Sequence, residues 1–405
     1  MTNKPYRSWA RAFALSALTT ALLGACGGSE PTIPGSEEPV GAPTTRGTFT
    51  ALVTFGDSLS DIGTYAPATS LTGNGQAPYF GGKFTANSAT AKVWVENLAT
   101  TMGLIVTPAQ VGFAGSSVPC PAALANAALA GTCTAYGQGG SRITDINGIG
   151  HTTAAGAPAA LTVPIKTQIA NHLARFTTFK TSDLILVWAG NNDVFAQFTA
   201  FAGRAAAIQA DAAAGRITAD QANQRLFQAQ TEAQYAMKQA AQELTAYIRS
   251  EILAKGGKYV AVMNLPDSSL TPFGSTLPAS AKPVLSGLVD TFNLWLRDGL
   301  GGQPVKIIDQ NAPGKDVYAN PSRYGLTNNT VPACDPAKIS AITGGAVTDG
   351  SSLFCNSTPG APYNGLRTGA DVNTWQFADG VHPTPGGHKI IGDYVTQQLR
   401  SFGWI

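Results

Sequence analysis

The chain has 405 residues, of which 44% are hydrophobic and only 12% charged, with a formal net charge of +2. That is ample apolar material for a core. No run of Lys or Arg is long enough to grip a phosphate backbone, so nucleic acid is excluded as an expected partner.

Residues 1–26 read as an export signal: Lys4, Arg7 and Arg11 form a basic start, residues 12–23 an apolar stretch, and Leu23-Gly24-Ala25-Cys26 a small-residue cleavage site. The apolar stretch is too short to span a bilayer. A cysteine at this place resembles the bacterial lipobox, and the resemblance implies cleavage before Cys26, its lipidation, and attachment to a membrane through that anchor. Gly27 in place of an aspartate points to the outer membrane by the same resemblance. Residues 27–47, rich in Pro, Gly and Ser and without periodicity, read as a flexible tether. Residues 48–405 are then expected to form a single domain.

The first strand is predicted over 49–55, a short apolar run that leads into Gly56-Asp57-Ser58-Leu59. A serine is thereby presented where a buried strand ends, the place at which open α/β sheets keep their chemistry. Further buried strands are predicted over 184–189, 259–264 and 305–309, with helical stretches between them, which suggests crossover connections and a mostly parallel sheet. The clearest helix starts at the capping-box pattern Thr218-Ala219-Asp220-Gln221, carries Met237, Ala240, Leu244, Ile248 and Ile252 on one face, and stops at Gly256-Gly257. An Ala-rich piece over 201–214 is its expected hairpin partner. A last helix runs from 385 to about 399.

Two long, weakly periodic regions, 105–160 and 310–375, read as loop insertions of the kind that are functional rather than idle. Each holds two cysteines. In an exported chain, sequence proximity favours the disulfides Cys120–Cys133 and Cys334–Cys355 among three possible pairings. Neither pair has CxxC spacing and no histidine lies nearby, so no metal site is expected.

The chemistry-bearing segments are four. A serine hydroxyl needs a base to become a nucleophile, and Phe377-Ala378-Asp379-Gly380-Val381-His382-Pro383-Thr384 offers His382 as that base with Asp379 three positions away to orient it. Attack on an ester carbonyl builds charge on oxygen, for which Gly137-Gln138-Gly139-Gly140-Ser141-Arg142 and Gly190-Asn191-Asn192-Asp193 can supply donors, together with the Ser58 N–H. Asp57, Asp61 and Asp193 are expected to hold loops through backbone N–H groups. Arg142 reads as a salt-bridge or solvated side chain, His388 as a structural or surface residue of the last helix, and His151 and His172 have no partner motif.

Taken in order, these segments resemble the GDSL or SGNH hydrolases. Phe55-Gly56-Asp57-Ser58-Leu59-Ser60-Asp61 looks like the nucleophile segment, Gly139-Gly140 the glycine segment, Gly190-Asn191-Asn192-Asp193 the Gly-x-Asn-Asp segment, and Asp379 to His382 the Asp-x-x-His segment. Lys83-Phe84-Thr85-Ala86-Asn87 and Val93-Trp94-Val95-Glu96 also resemble a region of the esterase and lipase branch. The resemblance implies a three-layer α/β/α, flavodoxin-like fold, a triad of Ser58, Asp379 and His382, and an oxyanion hole of Ser58, Gly140 and Asn192. Departures are Ile62-Gly63-Thr64 after the serine, where Thr-Gly-Asn is frequent, and Ser141 where an alanine is usual. The Gly-x-Ser-x-Gly elbow of α/β-hydrolases is absent.

The expected function is carboxylic-ester hydrolysis through an acyl-enzyme, without cofactor, by a lipid-anchored monomer. Removal of acetyl groups from polysaccharide, cleavage of lysophospholipids and acyl transfer to another alcohol use the same groups, and a binding lipoprotein with a silent site is the reading from another class.

Overall fold

The computed structural model describes residues 38–70, 79–360 and 363–405. The proposed signal segment and Cys26 lie outside them. Strands β1 (Ala51–Gly56), β4 (Asp183–Trp188), β5 (Tyr259–Met263) and β6 (Lys306–Ile308) pair in parallel in the order β1-β4-β5-β6. Beyond β1 the sheet continues through residues 134–136, where Thr54 N–H donates to Thr134 O at 3.0 Å and Tyr136 N–H to Thr54 O at 2.8 Å. All four predicted strands are present to within two residues at each end.

Nearly every position of β1, β4 and β5 is buried, so both faces of the sheet are covered. Helices Trp94–Met102 and Pro385–Ser401 pack on each other as one group. Helices Ile165–Phe176, Asn191–Ala213, Ala219–Tyr247 and Lys282–Leu300 form the other. This is the expected three-layer α/β/α arrangement. The long helix starts as its capping box demanded: the Thr218 hydroxyl accepts from Gln221 N–H and the Gln221 side chain from Thr218 N–H.

Its hairpin partner begins ten residues earlier than the Ala-rich composition suggested, at Asn191 on the upper, C-terminal edge of the sheet. The ion pair Arg204–Glu232 fixes the antiparallel register of the two helices. At the base, the Thr144 hydroxyl bonds to both Glu243 and Tyr247. About 20 residues of each helix therefore stand beyond the sheet edge, a wall on the order of 30 Å tall.

The regions read as insertions are partly ordered. Residues 105–160 contain an antiparallel hairpin, β2 (Gln110–Phe113) and β3 (Ser116–Pro119), and the sheet-extending residues 134–136. Both disulfides pair as proximity suggested, Cys120–Cys133 and Cys334–Cys355. Residues 38–47, read as tether, lie along the domain: Val40 N–H donates to Gln303 O, Gly47 N–H to Trp404 O, and the buried Trp404 indole to Pro43 O. Burying the Trp404 ring with its N–H satisfied is what draws this segment down.

His172 sits inside the helix Ile165–Phe176 side of the core, stacked on Phe179 at 4.3 Å and edged by Phe55, Phe176 and Tyr136. Neither ring nitrogen has a partner among the described residues. Burial, aided by Arg175 and Lys180, lowers its pKa to about 4 from 6.5. The unfolded chain thus takes up the proton first, and the stability this ring contributes above pH 6.5 is lost as pH falls toward 4. His172→Phe should flatten that acid limb by about 2 kcal/mol between pH 7.5 and 5. Urea denaturation at both pH values checks it, and an unchanged pH dependence would reject the assignment.

Candidate active site

Because parallel strands all end on one edge, the turns after β1, after residues 134–136 and after β4 meet there. Ser58 follows β1 at the start of a one-turn helix, Ser58–Ser60, capped by Asp57, whose carboxylate accepts Leu59 N–H at 3.1 Å. The other Asp57 oxygen accepts the Asn191 amide at 3.0 Å, tying the serine turn to the head of the helix Asn191–Ala213. Burial raises the Asp57 pKa against the pull of these bonds.

His382 reaches Ser58 across the whole chain: its Nε2 lies 2.8 Å from Ser58 Oγ. Its Nδ1 lies 2.9 and 2.8 Å from the two oxygens of Asp379. With Nδ1 against a carboxylate, that nitrogen carries the proton and Nε2 is left as the acceptor facing the serine. Burial alone would raise the Asp379 carboxyl, but the neighbouring imidazole and the N–H groups of Ser352, Val381 and His382 hold it far below the usual carboxylate range. Phe84 lies against the imidazole, ring centroids 4.8 Å apart.

Asp61 fixes the glycine segment. One of its oxygens accepts from Gly63 and Thr64 N–H, the other from Gly139 N–H at 2.9 Å. Burial pushes it up to about 6 against those bonds. Gly139 N–H is thereby occupied, whereas Gly140 N–H and Ser58 N–H have no acceptor among the described residues. Gly140 has φ +79°, and a Cβ there would fall 2.1 Å from Ile149 O, so only glycine fits. A Cβ on Gly139 would strike the Phe84 ring, also at 2.1 Å.

Asn192 sits in the first turn of its helix with one amide hydrogen given to Ser141 O at 2.9 Å, which leaves the second free to meet a ligand. Asp193 accepts Ile143 N–H and the Arg142 guanidinium, each at 3.0 Å, and Arg142 also meets Asp145 at 2.5 Å. Arg142 is thus a salt-bridge residue, as read from sequence. Burial raises Asp193 to about 6 despite Arg142.

His388 is wholly buried on the last helix, between Trp94 N–H and Phe84 O, both at 3.4 Å. Desolvation lowers it to about 3, so it stays neutral and structural. His151 meets the Thr162 hydroxyl. Among the described residues no group of three or more His, Cys, Asp or Glu is placed to hold a metal.

Sequence reasoning missed two contributors. The Ser352 N–H on Asp379 comes from the second insertion, 27 residues away, and no side-chain signal marks a backbone donor. Asn87, in the quoted Lys83 to Asn87 stretch, is buried and gives its amide to Lys83 O, Thr85 O, Ser352 O and Cys355 O within 3.1 Å. It joins the loop that carries Phe84 to the loop that carries Ser352.

A family model described as GDSL-like lipase/acylhydrolase matches residues 52–395. Among curated proteins, esterase EstA of Pseudomonas aeruginosa and esterase EstA of Pseudomonas putida are each 34% identical over 149 residues. An uncharacterized protein in the trpE-trpG intergenic region of Pseudomonas putida is 32% identical over 158 residues. These matches cover 36–38% of this chain and only 20–23% of the relatives' own length. With the model spanning most of the chain and the serine, glycine, asparagine and histidine segments meeting at one sheet edge, the chain belongs to the GDSL-like lipase/acylhydrolase family.

Proposed function

We propose that this protein is a carboxylic-ester hydrolase in which Ser58 is the nucleophile, His382 the general base and then acid, and Asp379 the orienting carboxylate. The carrying observation is the continuous hydrogen-bonded line from Asp379 through His382 to Ser58. Ser58 Oγ attacks the ester carbonyl as its proton passes to His382 Nε2. The tetrahedral oxyanion takes hydrogen bonds from Ser58 N–H, Gly140 N–H and the Asn192 amide, each such donor lowering the barrier by roughly 2.7–4 kcal/mol. His382 then protonates the departing alkoxide, and a water deprotonated by the same imidazole releases the acid from the acyl-serine.

The free state of the Ser58 and Gly140 N–H groups supports these donor roles, since occupied amides would have to break a bond first. Ile146 and Ile149 are 46% and 45% exposed, large apolar side chains on the loop that bonds to Gly140 O. They favour an acyl chain with apolar length beyond acetate. The mechanism needs no metal, so hydrolysis should survive EDTA, which a metal-dependent phosphodiesterase on this scaffold would not. Lipid attachment at Cys26 to the outer membrane remains part of this proposal, resting on the signal-like N-terminus.

Ser58→Ala should lower hydrolysis of p-nitrophenyl esters by roughly 10⁴-fold or more with the fold intact; retention of most activity would remove the serine from the mechanism. Across acetate to palmitate, the parent should peak above acetate. Asn87→Ala should reduce kcat roughly 10–100-fold with KM little changed, because Phe84 and Ser352 both lose their shared support. An Asn87→Ala enzyme with normal kcat would show that the two loops hold the triad independently.

A further inference from the structure

The edge of the sheet opposite Ser58, where the strands begin, gathers cations. Arg46 precedes β1, Lys180 precedes β4, Lys255 and Lys258 precede β5, and Arg400 ends the last helix; all five are exposed. Lys306 opens β6 and is half-buried. None of the six is in an ion pair among the described residues. Acids offset part of this charge, Asp183 beside Lys180 and Asp298 in the last turn of the helix Lys282–Leu300 among them. Asp183 accepts Lys180 N–H, Glu38 is turned to Arg297, and Glu251 is half-buried. In a chain with a net charge of only +2, this concentration leaves the edge with an excess of positive charge.

Two further observations say what covers it. Arg46 and Arg400 border a cavity of about 250 Å³ whose other walls include Phe49, Met102 and Ile405, so charge and apolar surface lie side by side, as at a lipid headgroup boundary. The described chain also enters here: Gly302 N–H donates to Glu38 O beside the start of β6. Twelve positions separate Glu38 from Cys26, a reach of about 40 Å at most.

We propose that this strand-start edge rests on a membrane surface bearing anionic lipid headgroups, leaving Ser58 facing away from the bilayer, about 20 Å further along β1. The charge argument stands by itself; the statement that the membrane is the one to which the chain is attached rests on the Cys26 reading. A face of this kind directs the enzyme toward esters in the surrounding compartment rather than lipids of its own leaflet.

The test is amine acetylation of the full chain, read by mass spectrometry, with vesicles of phosphatidylcholine alone or mixed with phosphatidylglycerol. Labelling of Lys180, Lys255 and Lys258 should fall at least about fivefold on the anionic vesicles, while Lys315 and Lys338 keep their reactivity. Lys180→Glu, Lys255→Glu and Lys258→Glu together should abolish the dependence on phosphatidylglycerol and leave hydrolysis of a soluble ester unchanged. Equal labelling on both vesicles, protection of Lys315 and Lys338 instead, or the same protection by an acidic polynucleotide would overturn the proposal. A chain that fails to float with neutral vesicles yet shows the phosphatidylglycerol effect would overturn only the anchor and support the surface.

Discussion

Parallel pairing of β1 with β4 on one side and with residues 134–136 on the other is the constraint from which the site follows. A parallel ladder gives every strand the same polarity, so the turns that follow three adjacent strands emerge within a few ångströms of one another. Ser58, Gly140 and Asn192 are far apart in the chain, yet each sits immediately after one of these strands. Buried carboxylates then lock the turns together. Asp57 links the serine turn to Asn191, Asp61 links it to Gly139, and Asp193 links the asparagine turn to Ile143 and Arg142. Three acids in a chain with so little charge are spent on backbone geometry rather than proton transfer.

The histidine comes from outside that ladder, and its position depends on loops. Phe377 to Pro383 forms a tight bridge that returns Ala378 N–H to His382 O at 2.7 Å, which folds the acid and the base onto each other within a few residues. Cys334 N–H donates to Ala378 O, and Cys355 lies close behind Ser352, so the second insertion clasps this bridge from behind. The small apolar cluster of Ala86, Ile339, Ala378 and the Cys334–Cys355 pair is separate from the main core and packs under the clasp. The site therefore draws on two cores: the sheet positions Ser58, and the insertion supports the loop of Asp379 and His382.

Much of this was legible in the chain itself. The four strands are short, apolar and bounded by turn residues, and the Thr218 capping box announces its helix, so local physics and the final fold agree there. The segments that carry Ser58, Gly140, Asn192, Asp379 and His382 stood out because the proposed chemistry restricts them to particular residue types. The start of the helix at Asn191 was not: its first turn is Asn-Asn-Asp, polar because it faces the site rather than the core, and propensity reads that as a turn. Residues 38–47 looked like tether because what orders them lies far away in the chain, at Tyr259, Gln303 and Trp404. Ser352 could not be found at all, since any residue type brings the same N–H to Asp379.

Asp379 takes every hydrogen bond except the one from the His382 ring through main-chain amides, of Val381, His382 and Ser352. The side chain at 381 takes no part in stabilising that charge. Val381 is half-buried and reaches this carboxylate only through its N–H, so its side chain can change without loss of the donor, whereas Ser352 is wholly buried and is held by the packing around it. The environment of Asp379 is thus tied chiefly to the path of the main chain, which a single side-chain substitution seldom alters.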